Sequence, residues 1–105
     1  MAFPIGAAVL DFCVLSIVAK EDTYGYELNQ ALMETLNISE STLYPVLRRL
    51  KKSEYLATYD KEFDGRNRRY YSITDEGRKE LEKYRMDWKE YKDIIDRVVR
   101  GDDND

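Results

Sequence analysis

The sequence predicts a mainly α-helical fold of the α+β class, in which one small β-hairpin accompanies the helices. Three observations support this prediction. Apolar residues recur at helical spacing in several segments, two segments with period-two alternation flank Asp64-Gly65, and residues 75 to 100 form one long amphipathic segment. Two helices, a basic third helix and a basic hairpin in this order are typical of a winged helix-turn-helix, and here a long C-terminal helix follows.

The first helix is predicted from residue 5 to residue 20, and the second follows Thr23 and runs to about residue 36. The first has apolar residues on nearly every face, which indicates burial from two sides, by the core of its own domain and by a second subunit. Thr23 is suited to cap the second helix, and Asn37 ends it. The residues expected to point inward from the second helix are Leu28, Ala31, Leu32 and Leu36.

The third helix begins after Ser39, a good N-cap residue, and has apolar residues at the spacing of one buried stripe. The stripe consists of Leu43, Val46, Leu47 and Leu50, and the opposite face displays Ser41, Tyr44, Arg48, Arg49 and Lys52. Pro45 lies several residues into this helix, where it removes a backbone hydrogen bond. The sequence leaves two alternatives open: a bent helix, or a regular helix confined to later residues.

The hairpin is predicted from residues 56 to 62 and 69 to 73, which are rich in Tyr, Thr and apolar residues at roughly period two. Asp64-Gly65 is a turn signal within a short loop that runs through Arg68. The arginines at positions 66, 68 and 69 are therefore expected to cluster beside the hairpin tip. Alternation places Tyr71 on the core face and Tyr70 on the opposite face.

The long last helix is predicted over residues 75 to 100, with Thr74 as its cap and Gly101 as its end. Its apolar residues are separated alternately by three and four residues, which is the a/d repeat of a coiled-coil seam. A helix of this length extends beyond a small domain, so we expect the same helix of a second copy to cover the seam. The seam is Leu81, Tyr84, Trp88, Tyr91, Ile95 and Val98, and the expected dimer interface is Val9, Phe12, Leu81, Trp88, Tyr91, Ile95 and Val98.

The predicted organisation is a winged helix-turn-helix domain over residues 1 to 74, a dimerisation helix over residues 75 to 100 and a disordered acidic tail over residues 101 to 105. With no His and one Cys, the chain lacks the ligands of a structural zinc site and the pairs of Ser-His or Cys-His catalysis. We expect no metal, no cofactor and no enzymatic activity. The N-terminus has no signal-peptide pattern and its apolar stretch is short for a membrane span, which favours a cytoplasmic protein.

The net charge of −4 is unevenly distributed. Residues 37 to 74 carry eight basic and five acidic side chains, whereas both flanking segments are net negative. Because the local field governs contact with phosphates, the basic helix and hairpin favour double-stranded DNA as the partner, with Arg48 suited to reading a guanine. The residues expected to contact DNA are Ser39, Ser41, Thr42, Tyr44, Arg48, Arg49, Lys52, Arg66, Arg68, Arg69 and Tyr70.

Each of these features also has a plainer interpretation. The basic helix face and the arginine-rich hairpin are compatible with ordinary solvated charge. Trp88, with Tyr84 and Tyr91 one turn to either side, is either dimer packing or a flat platform for a planar ligand. A winged-helix module that binds an acidic protein is the second functional hypothesis, and preference for discrete operator half-sites would separate the two. An enzyme ranks third, because nothing pairs acid-base residues in an evident pocket.

Three ordered blocks of the sequence resemble the PadR-like family of small bacterial winged-helix transcriptional regulators. The blocks are Tyr24-Gly25-Tyr26-Glu27-Leu28, Thr42-Leu43-Tyr44-Pro45-Val46-Leu47-Arg48-Arg49-Leu50 and Arg69-Tyr70-Tyr71-Ser72-Ile73-Thr74-Asp75-Glu76-Gly77. The resemblance covers residues 5 to 99. It implies a homodimer, held by the first and last helices, that binds a palindromic operator and represses nearby genes until an effector releases it.

The resemblance also implies a site for a small aromatic effector. Known effectors in the family include phenolic acids and planar cationic drugs, and residues 88 to 95 are similar to a multidrug-binding member that stacks drugs on a tryptophan at the position of Trp88. Where that member has a small residue and an acid, this chain has Tyr84 and Lys92. This bulkier, more positive centre disfavours cationic drugs and leaves an anionic aromatic ligand or none. The candidate effector residues are Trp88, Tyr84, Tyr91 and Lys92.

Overall fold

The computed structural model describes residues 7 to 101, so the predicted start of the first helix at residue 5 and most of the predicted acidic tail lie outside the described residues. The elements in chain order are α1 (Ala7–Lys20), β1 (Thr23–Tyr24), α2 (Gly25–Leu36), α3 (Glu40–Lys52), β2 (Leu56–Phe63), β3 (Arg66–Ile73) and α4 (Asp75–Arg100). The three strands form one antiparallel sheet in the order β1-β3-β2. Within the described residues, four helices, of which the C-terminal one is long, and a small sheet confirm the predicted fold class.

One apolar core joins all four helices to the inner face of the sheet. α3 contributes the complete stripe that its sequence pattern predicted, since Leu43, Val46, Leu47 and Leu50 are all buried. The other core residues are Leu10, Val14, Leu15, Val18, Leu28, Leu32, Leu56 and Leu81. Because these side chains come from α1, α2, β2 and α4, the core holds α3 in place and leaves only its opposite face exposed.

The N-cap of α2 lies one residue later than predicted. Thr23 does not cap this helix; it lies in β1, pairs with Tyr71 and donates its hydroxyl to the Glu21 carbonyl oxygen at 2.7 Å. Tyr24 occupies the N-cap position without a side-chain hydrogen bond. Pairing with a strand almost fifty residues later outweighs the local capping preference, because it satisfies backbone groups that a cap would leave unpaired. Asn37 ends α2, as predicted, and the structure shows it in the left-handed conformation.

Pro45 lies inside a helix that starts well before it. α3 follows Ser39 in the N-cap position and includes Pro45 as its sixth residue, so a regular part confined to later residues is excluded. The missing proline N–H deprives the Ser41 carbonyl of its helical donor. Ser41 is exposed and lies in the first turn, where water can reach that carbonyl. The proline therefore leaves no buried backbone group unpaired.

The hairpin is longer and tighter than predicted. β2 and β3 pair continuously from Leu56↔Ile73 to Phe63↔Arg66, so Asp64 and Gly65 alone form the loop. Both loop residues have positive φ, 53° and 74°, which is typical of the two-residue turn that matches the twist of paired strands. The expectation of a loop running through Arg68 is wrong. Arg66, Arg68 and Arg69 all lie within β3, and alternation sends them to different faces of the sheet.

α4 is joined to the domain through its first turns. Thr74 caps the helix as predicted, accepting a hydrogen bond from the Gly77 N–H at 2.9 Å, and its hydroxyl donates to the Glu54 carbonyl at 2.6 Å. Gly77 is buried against the backbone of Tyr55, an approach that a larger residue would prevent. At the other end Gly101 stops the helix in the left-handed conformation. Every helix within residues 7 to 101 is too short or too polar to span a lipid bilayer.

Candidate nucleic-acid interface

The exposed face of α3 is polar and basic. Tyr44, Arg48 and Lys52 are exposed, opposite the buried stripe. Neither Arg48 nor Lys52 forms an ion pair or side-chain hydrogen bond with any residue that the structure describes. A guanidinium and an ammonium without internal partners remain fully available to an external anion, and the guanidinium can also read the edge of a guanine. The face that the sequence predicted to be exposed is therefore exposed, and its contact with DNA stays a prediction.

The start of α3 carries a cluster of three hydroxyl groups. The Ser39 hydroxyl lies 3.0 Å from that of Ser41 and 3.2 Å from that of Thr42, and all three residues are exposed. Ser39 occupies the N-cap position but bonds to these hydroxyls instead of a backbone N–H. The free N–H groups of a helix N-terminus favour an anion. The predicted DNA residues Ser39, Ser41 and Thr42 thus lie together, at the end of α3 best suited to a phosphate.

Arg49 differs from its neighbour Arg48 because it has an internal partner. Its guanidinium donates to Asp11 of α1 through Nη2, and the same carboxylate accepts a hydrogen bond from the Tyr84 hydroxyl of α4 at 3.3 Å. Asp11 is only 8% exposed. The predicted role of Arg49 as a free phosphate contact therefore competes with an ion pair inside the protein. The position of an acid in an otherwise apolar first helix was the sequence signal for this pair.

Burial affects the ionisation of both groups beside Arg49. Removal from water raises the pKa of Asp11 above 3.8, and the nearby Arg49 charge opposes that rise. Burial together with the Asp11 carboxylate raises the pKa of Tyr84 to about 12. Tyr84 therefore keeps its proton at neutral pH and acts as the donor to Asp11, whose carboxylate accepts from both sides.

On the outer face of the hairpin Arg68 is enclosed by aromatic rings. Its guanidinium lies 4.4 Å from the ring centre of Tyr24 and 4.3 Å from that of Phe63, within the range of cation–π attraction. Arg66 occupies the same face at the first position of β3, beside the turn, and has no internal partner among the described residues. Of the two arginines on this face, Arg66 is the one available at the hairpin tip.

Arg69 lies on the opposite face of the hairpin. Its Nε donates to the Asp60 carboxylate at 3.3 Å, directly across the strand pair. Both side chains are about half exposed, so water screens the pair and the interaction contributes little stability. A phosphate could displace Asp60 from Arg69 more easily than it could displace Asp11 from Arg49. The three hairpin arginines thus do not form the single cluster that the sequence suggested.

Tyr70 belongs to a row of aromatic rings across the outer face of the sheet. Its ring centre lies 5.5 Å from that of Tyr59 and 5.6 Å from that of Tyr24, and Tyr59 is nearly parallel to it. The Tyr59 hydroxyl donates to Asp22 at 2.7 Å, which raises its pKa. Tyr70 is half-buried between these neighbours. The row crosses all three strands, and sequence reasoning missed Tyr59 because its ring partner comes from another strand.

The seam residues of α4 fall into two groups. Leu81 is 2% exposed and packs in the core of its own protomer, which corrects its predicted place in the dimer interface. Trp88, at 44% exposure, contacts Phe12 and Tyr91 at centroid distances of 6.3 and 6.1 Å. Beyond it Tyr91 is 45% and Val98 71% exposed, while Ile95 is partly exposed. The uncovered part of the seam therefore begins near Trp88.

The candidate effector residues are partly engaged inside the chain. Tyr84 bonds to Asp11 and its ring stacks on Phe12 at 6.0 Å. Lys92 lies 3.5 Å from the Asp96 carboxylate, one turn along α4. Trp88 and Tyr91, at 44% and 45% exposure, are the two exposed flat rings of the set. Within residues 7 to 101 no group of three or more Cys, Asp or Glu side chains is arranged to hold a metal ion.

Comparisons with known proteins agree with this geometry. The family model described as the transcriptional regulator PadR-like family matches residues 14–83. A crystal structure of a Streptococcus mutans protein is 42% identical, covers 100% of this chain and 99% of its own, and superposes with a TM-score of 0.89. A PadR-like transcriptional regulator from Bacillus cereus is 31% identical with a TM-score of 0.86, covering 95% and 100% of the two chains. An uncharacterized protein of Lysinibacillus sphaericus is 39% identical over 88% of this chain and 89% of its own.

Proposed function

The chain belongs to the PadR-like family of transcriptional regulators, which are not enzymes, and on this basis we propose that it is a dimeric repressor of a palindromic DNA operator. The exposed face of α3 carries this proposal. Its apolar stripe is fully buried, while Arg48 and Lys52 on the opposite face have no internal partner among the described residues. Arg48 would read a base edge, and Lys52 would contact a phosphate.

The start of α3 and the hairpin would supply the remaining contacts. The hydroxyl cluster of Ser39, Ser41 and Thr42 would bind a backbone phosphate at the positive end of the helix. Arg66, at the tip of the hairpin, would enter the minor groove or clamp a phosphate beside it. Arg69 would also contact the DNA, by leaving Asp60 and binding a phosphate. Such contacts act in the cytoplasm, where we place the protein.

A second copy would cover the open seam of α4. Tyr91, Ile95 and Val98 lie at a/d positions beyond the part of α4 that packs on its own domain. Pairing two such helices, with Val9 and Phe12 of α1 beside them, would remove this apolar surface from water. A two-fold dimer presents two recognition helices, so its operator would be a palindrome with half-sites about one helical turn apart.

Fluorescence anisotropy tests DNA recognition directly. The purified protein is titrated into a duplex from upstream of its own gene and into a scrambled duplex, across a salt series. We expect a preference of about a thousandfold or more, with affinity falling steeply as salt increases. Binding to neither duplex at low salt would contradict the proposal and favour a protein-interaction module. Weak, equal binding to both would show no operator specificity.

Arg48→Gln isolates the role of the recognition face. Loss of one phosphate or base contact lowers affinity, and a lost phosphate contact reduces the slope of log K against log salt by about 0.9. Arg97→Gln is the matched control, because it removes the same charge from an exposed position in the last turn of α4. We expect the control to retain the wild-type affinity and slope. Equal effects of the two substitutions would indicate a general charge effect.

Release by a small aromatic effector is the regulatory part of the proposal. Trp88 offers an open ring between Phe12 and Tyr91, and it is the single tryptophan of the chain. Its fluorescence therefore reports on that position alone. We expect planar anionic aromatics to change the emission more than planar cations of the same size, because Lys92 lies nearby in the sequence. No change with either charge would contradict an effector site at Trp88.

A further inference from the structure

Three helices meet at one buried carboxylate. Asp11 lies in α1, is 8% exposed and has apolar neighbours such as Leu10 and Phe12. Its Oδ1 accepts from Nη2 of Arg49 in α3, and its Oδ2 accepts from the Tyr84 hydroxyl in α4 at 3.3 Å. Each carboxylate oxygen therefore holds a different helix. No other acid among the described residues joins three helices by side-chain hydrogen bonds.

Such an arrangement is not explained by stability alone. Taking a carboxylate out of water is unfavourable, and apolar residues of similar volume often serve a buried position as well or better. What a buried ion pair adds is direction, because its hydrogen bonds are satisfied in only one arrangement of the surrounding elements. The apolar contacts of α1 with α3 and α4 have no comparable directional requirement.

We propose that Asp11 is a positioning residue for DNA recognition, which fixes the rotation of α3 by holding Arg49 and ties that rotation to α4 through Tyr84. This inference rests on the proposed function as a DNA-binding regulator. Arg49 directly follows Arg48, whose side chain has no partner within residues 7 to 101. A recognition contact must be held to within about 0.5 Å, so a small rotation of α3 would misalign Arg48 with a base.

The same pair changes how Arg49 contributes to binding. Asp11 already neutralises Arg49. A contact between Arg49 and a DNA phosphate therefore releases few counterions. Replacing Asp11 by Asn removes the charge at nearly constant size. Arg49 is 44% exposed at its side chain, so its guanidinium can turn towards solvent and towards phosphates. Asp11→Asn should therefore weaken specific recognition while it strengthens general attraction to DNA.

The test measures specificity and salt dependence separately. The first probe is the duplex that the wild-type chain selects from a pool of random duplexes, each about 30 base pairs or three helical turns long. The second probe is a scrambled duplex of the same length. We define the specificity ratio as the Kd for the scrambled duplex divided by the Kd for the selected duplex. For Asp11→Asn we expect this ratio to fall about tenfold or more, and the slope of log K against log salt to steepen by about 0.9. Asp93→Asn is the matched control, because it makes the same substitution in an exposed pair with Lys89 and should keep the ratio.

A double-substitution cycle identifies Arg49 as the group through which Asp11 acts. Arg49→Gln should lower the ratio as Asp11→Asn does, but without steepening the salt slope. The double variant should lose no more specificity than either single variant, because both remove the same connection. Multiplied losses would overturn the proposal. So would an unchanged ratio in folded Asp11→Asn, or a parallel loss on both duplexes, which is what a purely structural role predicts.

A milder variant keeps the proposal testable if Asp11→Asn does not fold. Tyr84→Phe removes only the hydroxyl that joins α4 to Asp11, and should lower the ratio about threefold. If neither Tyr84→Phe nor Arg49→Gln lowers it, the positioning role is overturned. A wild-type chain that selects no duplex overturns the proposed function and this inference together. A wild-type chain that selects one, beside Asp11→Asn with the same ratio, overturns the inference alone.

Discussion

The two halves of α4 continue one apolar repeat but lie in different surroundings. In the first half Gly77 and Leu81 are buried in the domain, and Tyr84 packs at the edge of its core. In the second half Tyr91, Val98 and other large apolar side chains are exposed. The spacing of three and four residues is the same throughout. A periodic stripe thus predicts that a face will be covered, without indicating whether its own chain or a second copy covers it.

The charged side chains of α4 and α3 differ in whether they have partners inside the protein. Lys89 with Asp93, and Lys92 with Asp96, form pairs one turn apart along the outer half of the helix. These pairs satisfy charges locally, whereas Arg48 and Lys52 of α3 have no such partner among the described residues. The outer half of α4 therefore presents apolar surface beside two local ion pairs, and the exposed face of α3 presents two cations without a partner among the described residues. The first suits a protein partner and the second a polyanion.

The largest effect is expected from breaking the buried half of α4. A Gly→Ala change inside a helix usually stabilises it by about 1 kcal/mol. At Gly77 the added methyl would overlap the Tyr55 carbonyl oxygen and lie 2.8 Å from Ile73 Cγ1. We expect Gly77→Ala to lower the free energy of unfolding by about 3 kcal/mol, measured by urea denaturation at fixed protein concentration. A stabilised variant would show that α4 does not pack this closely on the domain.

A substitution that disrupts the exposed second half of α4 should leave each protomer folded. Ile95→Asp places a carboxylate in the seam of both copies, and at about 1.5 kcal/mol or more per copy it should raise the dimer Kd about 100-fold. Analytical ultracentrifugation measures the change. Met86→Asp is the control, since Met86 is exposed on α4 but lies outside the a/d positions. Equal dissociation of the two variants would contradict the seam as the contact surface.

The smallest effect is expected from the paired charges of the outer helix. Lys89→Ala removes the partner of Asp93, whose carboxylate lies 3.1 Å from the ammonium nitrogen. Both side chains are mostly exposed, so the free energy of unfolding should fall by about 0.5 kcal/mol or less. The dimer Kd should not change. A loss of several kcal/mol in thermal unfolding would mean that this pair is buried by a partner.

The predicted recognition surface illustrates how far sequence reasoning reaches within a site. The buried stripe of α3 identified its exposed face correctly, because helical periodicity is a local property. The roles of individual arginines depend instead on contacts with residues far away in the sequence. Arg48 and Arg49 are adjacent in the sequence, yet only Arg49 meets Asp11, a residue 38 positions earlier. Arg68 and Arg69 are likewise adjacent, and alternation in a longer strand than predicted sends them to opposite faces.

The order of the helices, the hairpin, the basic third helix and the repeat of α4 could be predicted from local sequence patterns, because propensity, capping and periodicity act over a few residues. Which cations are free, where Thr23 pairs and where the buried part of α4 ends depend on how the elements pack together. These outcomes depend on contacts between residues far apart in the chain, such as Thr23 with Tyr71 and Asp11 with Tyr84. Side chains compete for partners only after packing brings them together, and that competition leaves no periodic signal in the sequence.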